Sequence, residues 1–331
     1  MSARSAFQSA GGQSKAARGD CQYQISGQTI GRFYFPASTV DYDTWTMRKA
    51  HELISNDGGV NVFPGGTHQS NYSLLDDIVN SISLYAWREV SWNVNADLDK
   101  VWLNWAVPIY GERAAPDIIK ALKLSEEAVN RTFSTLGMGS DTNSGFAGSI
   151  ARRETLLMYA NRYYLPEFAK FLEPTKENIE RVIAEKTANS QRIDEMFREL
   201  DRARPYLRPE LYEELATRFD WLKEHAICAA ALDESLWRYR YLRYLESKQT
   251  TDPAQLKSIA RPFDVVKQHA SRLFRYDAAQ KFSCYSVPLG QLRVKPTLGS
   301  PLPLMKELYE KSRQSIENIA GPEYVPAESK R

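Results

Sequence analysis

A short β-branched segment that ends in a glycine loop and leads into a helix constrains the fold of this chain most. The segment is Gly59–Phe63 and the loop is Pro64-Gly65-Gly66, a pattern that predicts a buried strand closed by a loop. Apolar residues then recur at spacings of three and four, which predicts a helix whose inward face is Leu75, Ile78, Val79, Ile82, Tyr85, Ala86 and Val90. A strand, a polar loop and a helix that packs back form one β/α unit, and such units bind ligands at the loop.

A second helix is predicted after a polar turn. Its inward residues would be Val101, Trp102, Trp105 and Ile109, its end Tyr110-Gly111, and its cap either Asn95 or Asp97. In the turn before it, we expect Trp92 to lie in the core and Asn93 to cap the helix junction. Upstream, Cys21–Ile25 alternates as a strand does, and Asp41 is the expected cap of a helix over residues 42–55.

Downstream of Gly111 the sequence predicts helices almost exclusively. One starts at Ala115-Pro116, the segment Gly137–Gly145 forms an exposed or site-lining loop, and Pro166 divides the helical stretch that follows. The later landmarks are a cap at Thr175, a turn framed by Pro205 and Pro209, a helix that starts at Asp252-Pro253, and a last helix from about Leu304 to Ile319. After Pro209 the predicted inward stripe is Leu211, Leu215, Leu222, Ala226 and Leu236.

The predicted fold class is therefore mainly α. A few N-terminal β-strands, the remnant of a β/α barrel, would precede a C-terminal helical bundle, because short loops favour antiparallel neighbouring helices. Residues 1–19 lack an apolar period and are expected to be disordered. Residues 20–111 are predicted to form a partial β/α (barrel-end) region and 112–331 a helical domain. The predicted strands are too few to close an eight-stranded barrel.

The composition of the chain limits the kinds of molecule that it is expected to bind. The 43 basic and 41 acidic residues give a net charge of +2, so no bulk field recruits nucleic acid or an anionic membrane. No apolar run approaches the ~20 residues of a membrane span, and the start lacks an apolar signal segment, so we expect a cytoplasmic protein. The 3 cysteines and 4 histidines lack ligand spacing. Reduced thiols are therefore favoured over one disulfide, and neither a metal nor a cofactor is predicted.

The segment from Gly59 to Gly111 resembles the end of the catalytic barrel and the start of the helical domain in alpha-glucuronidases of glycoside hydrolase family 67. That family shows a strand, a polar loop, a helix of the form N-x-Y-x-x-x-R-x-x-W-N-P, and a helix that ends in an aromatic residue and Gly. The residues at the corresponding positions here are Ser83, Tyr85, Glu89, Trp92, Asn93, Asn104-Trp105 and Tyr110-Gly111. The resemblance covers about residues 20 to 165 and implies a carbohydrate-active protein.

Two positions argue against independent catalysis. The family has Glu in its preceding strand where this chain has Gln22 and Gln28, and Gln cannot take a proton from water. The general acid would lie on earlier barrel strands, which this chain lacks. It could be a truncated or split gene product, a partner of a chain that completes the barrel, or a remnant that only binds. The predicted function is a carbohydrate-active protein that resembles the C-terminal region of an alpha-glucuronidase-type glycoside hydrolase and is not catalytic alone. The alternative is a non-catalytic helical interaction or dimerisation module.

Five polar residues are candidates for contacts with a sugar. The ends of two neighbouring strands would bring together Gln24, His68, Gln69, Asn71 and Tyr72. Alternatively, these side chains only hold the glycine loop in place, and no catalytic residue is assigned.

Three charged residues have two interpretations. Arg152, Arg153 and Glu154 could bind a uronate carboxylate or form ion pairs within the chain, and ion pairs are preferred. The predicted partners are a carbohydrate ligand and either a second copy of this chain or a chain that supplies barrel strands.

Overall fold

A computed structural model of the protein describes residues 40–41, 44–45, 47–48, 78–79, 81–139, 149–151, 153–154, 166–249 and 301–322. These residues are mostly helical, as the sequence predicts. The α-helices are α1 (Ser81–Trp92), α2 (Leu98–Tyr110), α3 (Ala115–Phe133), α4 (Lys176–Ala203), α5 (Pro209–Ser247) and α6 (Pro301–Ala320). Short 3-10 helices cover Pro166–Leu172 and Arg204–Tyr206, and the strands are β1 (Ser134–Thr135) and β2 (Met138–Gly139). None of the described helices is both long and apolar enough to cross a membrane.

The described residues fall into two compact units. Unit one contains the described residues up to 129 and residues 193–220, so it includes α1, α2 and most of α3. Unit two contains the described residues of 130–192, residues 221–249 and residues 301–322. Each unit has its own buried aromatic core, with Trp87 and Trp102 in unit one and Trp221 and Trp237 in unit two.

Helices α1 and α2 are delimited by local hydrogen bonds that the sequence suggests. The Asp97 carboxylate accepts hydrogen bonds from the backbone N–H groups of Asp99 and Lys100 at 3.0 and 3.4 Å, so Asp97 rather than Asn95 caps α2. The helix ends at Gly111, whose φ of 84° places it in the left-handed region that favours glycine. The two helices are joined by Trp105 of α2, whose Nε1 donates to the Ser81 hydroxyl at 2.9 Å.

A tight β-hairpin follows α3 directly. Ser134 pairs with Gly139 and Thr135 pairs with Met138 in antiparallel register. The two residues between the strands, Leu136 and Gly137, have φ of 51° and 81°. Positive φ at both central positions is typical of the type I′ turn, whose twist matches that of the flanking strands. The sequence predicts a loop that starts at Gly137. It does not predict the two short strands that pair on either side of this glycine.

The long helices α4 and α5 begin as the sequence predicts. The Thr175 hydroxyl accepts a hydrogen bond from the Asn178 N–H at 3.2 Å and caps α4. Pro205 lies in the 3-10 helix that follows α4, and Pro209 is the first residue of α5, where its missing N–H costs nothing. Helix α6 starts at Pro301 instead of Leu304. Its later residues Ser315 and Asn318 donate hydrogen bonds to Glu246 of α5, both at 3.0 Å.

Three predictions about single residues are wrong. Ile78, predicted on the inward face of the first helix, is 40% exposed and lies in a turn before α1. Trp92 is 93% exposed and does not lie in the core. On α1 it lies away from the side that carries the buried Ile82, Ala86 and Val90, because two residues at about 100° each turn the helix by roughly half a turn from Val90 to Trp92. Asp41 does not precede its helix, since Val40 and Asp41 are both helical. The backbone N–H of Asp41 instead donates to the Glu126 carboxylate at 2.8 Å, so a distant side chain takes the role expected of a local cap.

The strands predicted at Cys21–Ile25 and Gly59–Phe63 lie outside the described residues, as does the helix expected from Asp252-Pro253. The helical part of the predicted fold class is therefore confirmed, and the barrel remnant stays a prediction.

Candidate functional site

A buried cluster of charges lies at the centre of unit two. Asp233 of α5 is fully buried, and both of its carboxylate oxygens contact polar or positively charged side chains. Its Oδ1 contacts a guanidinium nitrogen of Arg153, and its Oδ2 lies 2.6 Å from the Thr135 hydroxyl and 2.9 Å from the Lys186 ammonium. Arg153 and Thr135 are also fully buried, and Lys186 is 6% exposed. The cluster thus joins β1, α4, α5 and the helical residues near Arg153.

The environment of Asp233 keeps its carboxylate charged. Burial alone would raise the pKa of Asp233, but the positive charges of Arg153 and Lys186, helped by the hydrogen bonds from Thr135 and Arg153, hold the pKa below its ordinary value. A carboxylate that is charged, fully buried and bonded at both oxygens cannot exchange a proton with a substrate. The cluster therefore acts as a structural clamp in unit two.

Lys186 also completes the end of α3. Its ammonium donates to the backbone carbonyls of Arg131 and Ser134, both at 2.6 Å. The last carbonyls of a helix have no partner within the helix and carry partial negative charge, so a lysine there satisfies them and interacts favourably with the helix dipole. The neighbouring Glu185 accepts from the Leu136 N–H at 3.0 Å and pairs with Arg131 at 2.8 Å. Adjacent residues of α4 thus fix the hairpin to the helix from which it emerges.

The predicted ion pairs of Arg153 and Glu154 are confirmed. Arg153 pairs with Asp233, and Glu154 pairs with Arg240 at 3.2 Å. Arg240 donates a further hydrogen bond to the backbone carbonyl of Leu172 at 2.8 Å. Arg152 lies outside the described residues.

Asp233 and Lys186 are not among the candidate residues named from the sequence. A signal for Asp233 was available, because it lies seven residues after Ala226 and three before Leu236, which places it on the predicted inward stripe of α5. A carboxylate on such a stripe must have buried positive partners. Lys186 carries no comparable signal, since its partners come from β1 and α5.

The exposed side of α1 carries a second cluster, which we call the tryptophan face and define as Tyr85, Arg88, Glu89 and Trp92. These residues are three, four and seven positions apart and share one side of the helix. The Arg88 guanidinium lies 4.4 Å from the centre of the Tyr85 ring and donates two hydrogen bonds to one oxygen of Glu89, at 3.0 and 2.5 Å. The hydrogen bond with Glu89 is the main reason that the pKa of Arg88 is raised.

The backbone next to the tryptophan face is held firmly. The Asn93 side chain accepts the N–H of Asn95 at 3.0 Å, and the Asn93 carbonyl accepts the N–H of Ala96 at 2.8 Å. Arg48, from the helical segment before α1, donates to the carbonyls of Val94 and Ala96 at 3.1 and 2.7 Å. Asn93 therefore stabilises the turn, as expected of a junction residue, although it acts on the turn rather than on the first residues of α2. Trp92 thus presents an exposed ring on a fixed backbone.

An exposed indole ring beside fixed polar groups has a limited chemical repertoire. The apolar faces of tryptophan stack on flat surfaces such as the C–H face of a sugar ring, another aromatic ring or an apolar side chain. Arg88 and Glu89 supply donors and acceptors at the edge of such a contact. The tryptophan face can therefore bind a ligand and has no group arranged for proton transfer.

The predicted sugar contacts Gln24, His68, Gln69, Asn71 and Tyr72 all lie outside the described residues. Of the cysteines, Cys228 is described: it is a free and buried thiol, and burial, together with the nearby Glu224, raises its pKa to about 12. Such a thiol is inert at neutral pH. Within the described residues no group of three or more His, Cys, Asp or Glu side chains could hold a metal ion.

Comparisons with protein-family models, with curated proteins and with solved structures each return no match to this chain. The resemblance to alpha-glucuronidases therefore stays a prediction that rests on the quoted motif residues.

Proposed function

We propose that this chain is a carbohydrate-binding protein that is not catalytic alone, and that the tryptophan face is one of its sugar contacts. Residues 20–111 would be the remnant of a β/α barrel, as in the C-terminal region of an alpha-glucuronidase-type glycoside hydrolase. The observation that carries the proposal is the position of Trp92. This residue is 93% exposed and lies on the same side of α1 as Tyr85, Arg88 and Glu89, which contact one another through Arg88.

The cost of exposing the ring supports a role in binding. An exposed tryptophan forgoes the hydrophobic stabilisation that burial would give, at about 25 cal/mol per Å² of apolar surface. The contacts of Arg48 and Asn93 fix the backbone beside this ring, so less conformational freedom is lost when a ligand binds. Tyr85 and Trp92 of α1, and Asn93 directly after it, are also positions that carry the resemblance.

The proposed absence of independent catalysis rests on two features. The sequence has Gln22 and Gln28 where the resembling family has Glu. The best-formed carboxylate site among the described residues, that of Asp233, is fully buried and bonded at both oxygens. Hydrolysis would then require carboxylates from another chain.

The test is an NMR titration of the full chain labelled with ¹⁵N in the indole rings of its 7 tryptophans. Xylotetraose and an aldobiouronic acid are added to millimolar concentration. We expect the Trp92 indole signal, assigned through Trp92→Phe, to shift on addition, whereas the signal of Trp87, buried on the same helix, stays in place. Trp92→Ala should abolish the shifts of neighbouring amide signals, and the matched control Leu103→Ala, which removes another exposed apolar side chain, should leave them unchanged. An unmoved Trp92 signal with both sugars would contradict the proposal.

A second candidate is a helical dimerisation module that uses the same face. Tryptophan is enriched in the centres of protein interfaces, and the large exposed apolar residues of unit one also include Ile78 and Leu103, 40% and 44% exposed. Light scattering separates the two functions. A dimer at micromolar concentration that dissociates on Trp92→Ala would favour dimerisation, and a monomer that binds sugar would favour recognition.

A further inference from the structure

The turn between α4 and α5 in unit one carries a group of stacked arginines. We call it the arginine turn and define it as Arg113, Arg204, Tyr206, Arg208 and Tyr212. The three arginines are exposed, and Tyr206 is 52% exposed. Arg204 and Tyr206 belong to the 3-10 helix, Arg208 and Tyr212 border or begin α5, and Arg113 comes from the junction between α2 and α3.

Two of these guanidinium groups lie on tyrosine rings. The Cζ atom of Arg113 is 5.6 Å from the centre of the Tyr206 ring, and that of Arg204 is 4.8 Å from the centre of the Tyr212 ring. Both distances are within the range of cation–π attraction. A guanidinium that lies on a ring keeps the N–H groups at its edge available, and two parallel N–H donors match the two oxygens of a carboxylate.

Two carboxylates near the turn already have other partners than its arginines. Glu199 pairs with Arg202 at 2.6 Å, and Asp201 accepts the Tyr212 hydroxyl at 2.8 Å. Within the part of the chain that the structure describes, Arg113, Arg204 and Arg208 have no carboxylate within 4.0 Å. By contrast, most described arginines of unit two, such as Arg153 and Arg240, are paired with acids. The arginine turn therefore keeps three guanidinium groups for an external anion.

The turn is also stiff. Pro205 fixes φ in the 3-10 helix and Pro209 fixes it at the start of α5. The N–H of Leu207 donates to the carbonyl of Arg204 at 3.2 Å. A stiff backbone and stacked side chains lower the entropy that these arginines lose on binding.

We infer that the arginine turn is a docking surface for a short acidic peptide segment of a protein partner. Exposed residues on a turn favour an extended ligand, because small molecules bind in concave sites that bury most of their surface. Three guanidinium groups are enough for a few successive carboxylates. Nucleic acid fits less well, since a protein that binds it can engage on the order of six to ten phosphates, whereas the arginine turn offers three guanidinium groups.

The test measures binding of fluorescein-labelled hexaglutamate to the full chain by fluorescence anisotropy at low salt. We expect binding, and we expect the double variant Arg113→Gln/Arg204→Gln to weaken it about tenfold or more. Arg113→Lys/Arg204→Lys should also weaken it, because lysine keeps the charge but loses the two-pronged donor geometry. The matched control is Lys248→Gln in unit two, which removes a cation that lies 5.7 Å from the ring of another exposed tyrosine, Tyr244, and should change nothing.

A labelled six-nucleotide oligothymidine is titrated in parallel. Absence of hexaglutamate binding, equal binding by the double glutamine variant, or tighter binding of the oligonucleotide would each overturn the inference. Circular dichroism of every variant verifies that the loss of binding is not a loss of fold.

Discussion

At the scale of single residues, Asp233 shows how a charge can be retained inside a helical unit. Removing a carboxylate from water costs several kcal/mol, and only good geometry with further hydrogen bonds repays this. Here two positive side chains and one hydroxyl converge on its two oxygens. Since each partner lies on a different segment, the cluster specifies how β1, α4 and α5 meet.

We predict that Asp233→Asn lowers the free energy of unfolding by about 3–5 kcal/mol, because it removes the buried carboxylate that Arg153 and Lys186 share. Chemical denaturation followed by circular dichroism measures this change. The double variant Asp233→Asn/Lys186→Met is compared with this single variant. It removes one of the two buried cations that Asp233 pairs with, so it should recover part of the loss, and a purely additive result would contradict the charge argument.

The same substitution should show a defined pH dependence. The pKa of Asp233 is lower in the folded protein than the value of about 3.9 expected in an unfolded chain, so its carboxylate stabilises the fold above that pH. This contribution is lost as the pH falls through the lower, folded-state pKa. The difference in unfolding free energy between the wild type and Asp233→Asn should therefore be constant near neutral pH and shrink below about pH 4. A difference that grows in acid would contradict the assignment.

At the scale of elements, the starts of α2, α3, α4 and α5 follow from their sequences. Two of these helices begin after a capping side chain, Asp97 or Thr175, and two have a proline in the first turn, Pro116 or Pro209. The information that sets these starts is therefore local. The helical segment that contains Asp41 differs because the Asp41 N–H group is satisfied by Glu126, 85 positions away. No local pattern contains such a contact.

We predict that Asp97→Ala lowers the free energy of unfolding by about 1 kcal/mol, because α2 then loses the acceptor for two N–H groups of its first turn. The matched change is Asn95→Ala, since Asn95 was the other possible cap. Among the described residues, the contact of Asn95 is the hydrogen bond from its backbone N–H to Asn93, so this variant should stay within about 0.5 kcal/mol of the wild type. Equal effects in urea denaturation would contradict the assignment of the cap.

At the scale of the whole molecule, the sequence predicts the helical class well and the candidate sites poorly. Apolar periodicity marks the buried stripe of α5 correctly, with Leu215, Leu222 and Leu236 each at most 1% exposed. The same reasoning failed for Trp92, because the preference of tryptophan for the core was weighed above its position on the helix. The tryptophan face follows from helical spacing once Trp92 is placed outside, whereas the charge cluster does not, since Lys186 contacts Asp233 from a distant segment.

The last prediction concerns how much α6 contributes to the stability of unit two. Leu304, Met305 and Leu308 of α6 are fully buried, and Ile316 is 3% exposed. Burying four such side chains contributes about 6–12 kcal/mol in total, which is comparable with the whole stability of a typical domain, about 5–15 kcal/mol. A chain that ends after Ser300 should therefore lose its cooperative thermal transition and bind a hydrophobic dye. Leu308→Ala gives a graded test, with an expected loss of about 2–5 kcal/mol, and Glu310→Ala on the exposed side of the same helix should cost less than about 0.5 kcal/mol. If the shortened chain melts cooperatively near the wild-type temperature, the prediction is wrong and α6 does not stabilise the rest of unit two.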